Sequence, residues 1–161
     1  TITVNQQQNG GQWNLLGTYS FNGAARIITV SNGISSCVTS ADAVSLVSTS
    51  STDSTSSSGS TSGSGTTDSS SGSGTTDSSS GSGTTGSTSG SGTIIIDNGD
   101  PNTEAFGSWR KSSAGGFYGA NSVYSNKHGN TYTFEAVCSG AQEVYLWYAA
   151  SGNRCTKVPC E

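Results

Sequence analysis

Apolar and polar residues alternate in short runs along most of this chain. Ile2 and Val4 sit between Thr1, Thr3 and Asn5, and Tyr132, Phe134, Ala136 and Cys138 sit between Thr131, Thr133 and Glu135. A period of two bounded by Gly and Asn is the signature of half-buried strands. The pattern predicts strands over 1–5, 13–21, 25–30 and 42–47, and again over 93–97, 107–111, 122–124, 131–137, 143–148 and 156–160. Asn9-Gly10-Gly11, Asn22-Gly23 and Asn32-Gly33 supply turn chemistry between them. No stretch has a helical period. Short, evenly spaced strands with Gly/Asn turns predict an all-β fold, an antiparallel β-sandwich of jelly-roll type.

The alternation stops between 48 and 93, where the chain is almost wholly Ser, Thr and Gly with an occasional Asp. The sequence therefore divides into 1–47, a low-complexity segment 48–93, and 94–161. Within the segment Gly63–Ser71 and Gly72–Ser80 repeat the same nonapeptide, Gly-Ser-Gly-Thr-Thr-Asp-Ser-Ser-Ser. A nine-residue period invites comparison with calcium-binding β-rolls, but no apolar residue is present to form a core. The composition predicts a disordered linker with a coil span of roughly 35–40 Å. Its hydroxyl density makes it a candidate for O-glycosylation, whereas no Asn-x-Ser/Thr sequon occurs. Either flank alone buries too little apolar surface to offset backbone ordering, and together they amount to one ordinary domain. The segment thus separates two halves of a domain, each needing the other.

Charge excludes some partners. The net charge is −4, and no run of Lys or Arg follows a phosphate backbone, so nucleic acid is not an expected partner. No apolar run approaches the roughly 20 residues of a membrane-spanning helix. The sequence begins at Thr1 without an initiator Met or leader and reads as a mature chain or part of a longer one. Four cysteines in a Met-free, Ser/Thr/Gly-rich chain without metal-ligand spacing indicate disulfides and an extracellular or cell-surface location, with no metal or cofactor expected. Strand phase puts Cys138 and Cys160 on inward faces, while Cys37 and Cys155 fall in loops. The expected bridges are Cys138 with Cys160 in the core and Cys37 with Cys155 between loops, each adding about 2–4 kcal/mol.

Particular segments resemble a known family. Ile94-Ile95-Ile96-Asp97-Asn98-Gly99-Asp100-Pro101, Gly107-Ser108-Trp109, Gly116-Phe117-Tyr118-Gly119, Thr131-Tyr132-Thr133-Phe134, Glu143 to Tyr148 and Asn153 to Pro159 look like the first half of golvesin C-terminal-like domains. Thr1 to Phe21, with its Asn5-Gln6-Gln7-Gln8-Asn9-Gly10-Gly11-Gln12-Trp13 run, and Ala41-Asp42-Ala43-Val44 look like the second half. Such domains are also found appended to xanthan-lyase-like enzymes. The resemblance implies a β-sandwich module of a secreted or surface protein, with carbohydrate as the assumed ligand. Here the order is reversed: the family's late half precedes the linker and its early half follows it. Where the family has a short hairpin joining the two halves, this sequence ends at Glu161 and begins at Thr1. That order suggests a circular permutant, one period of a tandem repeat, or a subunit exchanging halves with neighbours, the last two being preferred.

Catalytic patterns are thin. The single His128 lies in a polar turn, and no Gly-x-Ser-x-Gly elbow is present. Asp97 with Asp100 fits a turn before Pro101, and Glu135 with Glu143 fits exposed strand positions, so no catalytic residues and no enzyme are expected. Glycan binding needs aromatic platforms beside hydrogen-bonding side chains; Trp13, Gln7, Gln12 and Tyr118 are the candidates, while Trp147 is assigned to core. The expected function is a structural subunit or repeat of a secreted bacterial surface filament or adhesin, its β-sandwich halves complemented between copies of itself and locked by disulfides. The alternative is an extracellular carbohydrate-binding module.

Overall fold

In a computed structural model of the chain, residues 1–32, 36–49 and 92–161 are described. The linker expected to be disordered, with its nonapeptide repeat and its candidate glycosylation, falls over 50–91 outside the described residues, as does the Gly33 end of the expected Asn32-Gly33 turn. The fold is all-β. Ten strands form: β1 (Ile2–Val4), β2 (Asn14–Asn32), β3 (Thr39–Ala41), β4 (Ala43–Ser48), β5 (Thr93–Asp97), β6 (Thr103–Phe106), β7 (Arg110–Lys111), β8 (Val123–Ser125), β9 (His128–Trp147) and β10 (Val158–Cys160). Seven join one antiparallel sheet in the order β1-β10-β2-β9-β4-β5, with β6 also on β9, and β3-β8-β7 form a second.

Two long strands organise the larger sheet. β2 and β9 pair in unbroken register from Thr18↔Glu143 to Val30↔Thr131. The sequence predicts four shorter strands here, with Asn22-Gly23 as a turn; instead Asn22 pairs with Ser139 and Gly23 with Cys138 inside one ribbon. The glycines bend the ribbon rather than reversing the chain. Gly23 has φ 104° and Gly140 has φ 80°, conformations that L side chains resist. Leu16 and Ile27, eleven positions apart on β2, would be about 36 Å apart on a straight strand. Both line one cavity of about 130 Å³ with Phe21, Val144 and Cys160, so the ribbon folds over and its two arms face one another.

One core fills the fold. Val44, Leu46, Ile96, Phe134, Leu146 and Val158 are fully buried, each worth roughly 2 kcal/mol in removed apolar surface. β4 lies between β9 and β5 and is buried through Ala43, Val44, Ser45 and Leu46, that is, on both faces of the sheet. Every strand of the first flank pairs with strands of the second: β1 with β10, β2 with β10 and β9, β3 with β8, and β4 with β5 and β9. Among the described residues, no strand of 1–48 is hydrogen-bonded to another strand of 1–48. The two flanks of one chain accordingly form a single unit.

A disulfide joins Cys37 to Cys155, beside the parallel bridge Val38↔Arg154. The expected Cys138–Cys160 bond is absent: both are buried free thiols. Strand phase gave the correct faces, but register separates them. Cys160 pairs with Thr29, which pairs with Tyr132, six positions along β9 from Cys138. That is about 20 Å along the strand, several times the Cα separation a disulfide permits.

Candidate functional site

Three aromatic rings from three separate segments meet at one end of the fold. Trp13 precedes β2, Tyr118 lies in the Gly-flanked loop 115–119, and Trp147 ends β9. Trp13 lies 5.2 Å from Tyr118 and 5.3 Å from Trp147, and Tyr118 lies 5.5 Å from Trp147, centroid to centroid. Tilted and edge-on arrangements of this kind suit ring quadrupoles, and all three rings remain half-buried.

Backbone geometry sets the rings in place. The Asn14 side-chain amide donates to the carbonyls of Asn9 and Gln12, both at 2.9 Å, tying the loop that carries Trp13. Gly11 N–H donates to Tyr148 O at 3.0 Å. A Cβ on Gly10 would stand 2.2 Å from the Cβ of Ala150, so only glycine permits this approach. Across the site, Trp147 Nε1–H donates to Gly116 O at 2.8 Å, pinning the loop that carries Tyr118.

Beneath that loop lies Asp42, the single residue between β3 and β4 and fully buried. Tyr118 N–H donates to its two carboxylate oxygens at 3.2 and 3.3 Å. Burial pushes the Asp42 carboxyl up to about 8, the Tyr118 N–H opposes the rise, and the nearby Asp97 carboxylate adds to it. Asp97 is itself raised by burial, against the Asn98 N–H and with Asp100 adding. Gly119 crosses directly over Asp97, where a Cβ would meet Oδ2 at 2.1 Å. Tyr118 therefore stands on a loop supported by two carboxyls that resist ionisation.

The structure brings Trp13 and Tyr118 together and adds Trp147, which sequence reasoning assigned to core. Gln12 is exposed beside Trp13. Gln7 serves elsewhere: its amide donates to Gly152 O at 3.2 Å and Arg154 O at 2.8 Å, bracing the disulfide loop. Gln6, whose place in the Gln-rich run suggests a ligand-facing amide, serves the core instead. It is fully buried and reciprocates with Ser40, donating to its carbonyl at 2.8 Å and accepting from its N–H at 2.7 Å. Within Gln6-Gln7-Gln8 only burial distinguishes it, and no periodicity signals that. His128 is exposed at the start of β9, and Glu135 is ion-paired to Arg26 at 2.9 Å on the surface.

The model of the golvesin C-terminal domain family matches residues 1–48. Comparison with curated proteins and with solved structures gives no match. The matched span contains Trp13, Gln6 and Asp42 and ends with β4. The family match and the disulfide are consistent with an extracellular protein. Among the described residues no helix is long and apolar enough to cross a membrane.

Proposed function

We propose that this chain is a structural module of a secreted surface filament or adhesin, built from β-sandwich halves that neighbouring copies can exchange. One observation supports the reading above others: among the described residues, strands β1–β4 pair only with strands of 93–161, so the first half reads as a donor to the second. The Cys37–Cys155 bond then fixes donor to acceptor covalently. The role is architectural, and the chain is read as a non-enzyme.

Concentration decides whether the halves pair within or between chains. β4 and β5 are antiparallel neighbours with Val47 opposite Thr93, so within one chain the segment 49–91 has only to close a hairpin. Its composition predicts an effective concentration for closure in the millimolar range. Dilute chains close on themselves, and exchange takes over where copies are crowded above that level, as along a surface fibre. Denaturing electrophoresis of native material tests this. A ladder of multiples of 16.2 kDa that collapses on reduction is expected, and a single unit-mass band in both lanes would rule out covalent exchange.

The Trp13–Tyr118–Trp147 group favours a second reading, an extracellular carbohydrate-binding module. Sugar C–H faces pack on such rings while exposed amides such as Gln12 meet hydroxyls. Binding to a glycan array that is lost in Trp13→Ala, with the fold retained, supports it; binding unchanged in that variant removes the site.

A further inference from the structure

Arg154 is a buried cation with no carboxylate partner among the described residues. The residue is 3% exposed, and its guanidinium donates to Ala149 O at 3.1 Å, Asn153 Oδ1 at 3.0 Å and Ser112 Oγ at 2.9 Å. All three acceptors are neutral. Three of five N–H groups are thereby used, and two remain without a partner among the described residues. Burial lowers the guanidinium from its ordinary value, and the nearby Tyr124 only partly opposes the fall. Buried charges are ordinarily paired, so this arrangement lacks its complement.

The complement has a place to sit. Arg154 lines a cavity of about 380 Å³ with Ser112, Ser113, Tyr124, Asn126 and Asn153. Among the described residues its walls carry no Asp or Glu and no second cation. One guanidinium with two free N–H groups matches one carboxylate, whereas a sulfate or phosphate dianion ordinarily draws several cations. Apart from Val38 and Ala114, hydroxyls and amides form the rest of the lining, which suits a ligand rich in hydroxyl groups, and the volume suits one small molecule.

We propose that this pocket binds a small polyhydroxylated carboxylate the size of one acidic sugar, its carboxylate on Arg154 and its hydroxyls on Ser113, Tyr124 and Asn126. The site is separate from the Trp13–Tyr118–Trp147 group and does not depend on either functional reading above.

The test is an NMR titration of the 15N-labelled full chain with glucuronate, glucose, acetate and sulfate at fixed ionic strength. Glucuronate is expected to shift the amides of Ser112, Ser113, Asn126 and Arg154 saturably, at least tenfold more tightly than glucose, acetate or sulfate. Arg154→Gln is expected to abolish those shifts. Since Arg154 also braces loops, the exposed rim variant Asn126→Asp provides a second measure: its added carboxylate is expected to weaken glucuronate at least tenfold with amide dispersion unchanged. Equal binding of acetate or sulfate, equal binding of glucose, shifts confined to Trp13 and Tyr118, or indifference to Asn126→Asp would each overturn the proposal.

Discussion

Asp42 shows how one residue couples the halves to pH. Its folded-state value near 8 lies far above the ordinary 3.8, so folding favours the protonated carboxyl. The associated stability is fully present below pH 4 and is lost as pH rises toward 8, by up to about 1.4 kcal/mol per unit. Asp42→Asn keeps an oxygen to accept the Tyr118 N–H and removes the titration. Denaturant unfolding of the variant is expected to be flatter between pH 5 and 8 and more stable than the parent at pH 8. A parent whose stability rises over that interval would refute the account. Asp42 was legible in the sequence only as part of a family-like Ala-Asp-Ala-Val run, because its burial is created by loop 115–119, more than 70 positions away. Trp13 and Tyr118 were legible as ring-bearing turns. Trp147 was not, since alternation on β9 gives the face of a residue and not whether another segment covers it.

At the scale of elements, the bent β2–β9 ribbon departs most from the pattern in the sequence. Asn22-Gly23 has the chemistry of a hairpin turn, but here glycine's positive φ serves a bend within a continuous strand. Local sequence cannot separate the two uses, because both need the same backbone conformation and differ only in what lies opposite. A Cβ on Gly23 would meet nothing within 4 Å, so Gly23→Val isolates backbone strain. It is expected to cost about 1–3 kcal/mol in chemical denaturation, while Asn22→Val, exposed on the same strand, stays within about 0.5 kcal/mol. Comparable losses at both positions would indicate a turn. The strand-rich fold class and inward faces were readable throughout; β3 and β6 were not, being short and paired to distant strands.

For the whole molecule, the low-complexity segment carries the testable step. Its ends are adjacent: Val47 pairs with Thr93, and Ser48 N–H donates to Gly92 O at 3.3 Å. Replacing 49–91 with Asn-Gly supplies a two-residue turn at that point. The shortened chain is expected to be monomeric at millimolar concentration in size-exclusion chromatography and about 2 kcal/mol more stable through reduced loop closure. Oligomers persisting in it would mean that association does not use exchanged halves. The disulfide closes a loop spanning 118 positions, for which chain entropy predicts about 4–5 kcal/mol. Cys37→Ala with Cys155→Ala is expected to lower unfolding stability by up to that amount.

That same bond also determines how the molecule answers force. β1 and β10 lie antiparallel with Thr1 beside Glu161, where the Thr1 hydroxyl donates to the Glu161 carboxylate at 3.0 Å. A pull on these two ends opens the pair like a zipper, one hydrogen bond at a time, and so yields at low load. Peeling ends at Cys37 and Cys155, after about 40 residues and roughly 150 Å of released chain. Beyond that point tension runs through the sulfur bond, and everything between those cysteines, including the entire Ser/Thr/Gly segment, is shielded from it. The chain behaves as a short extensible tether with a covalent stop.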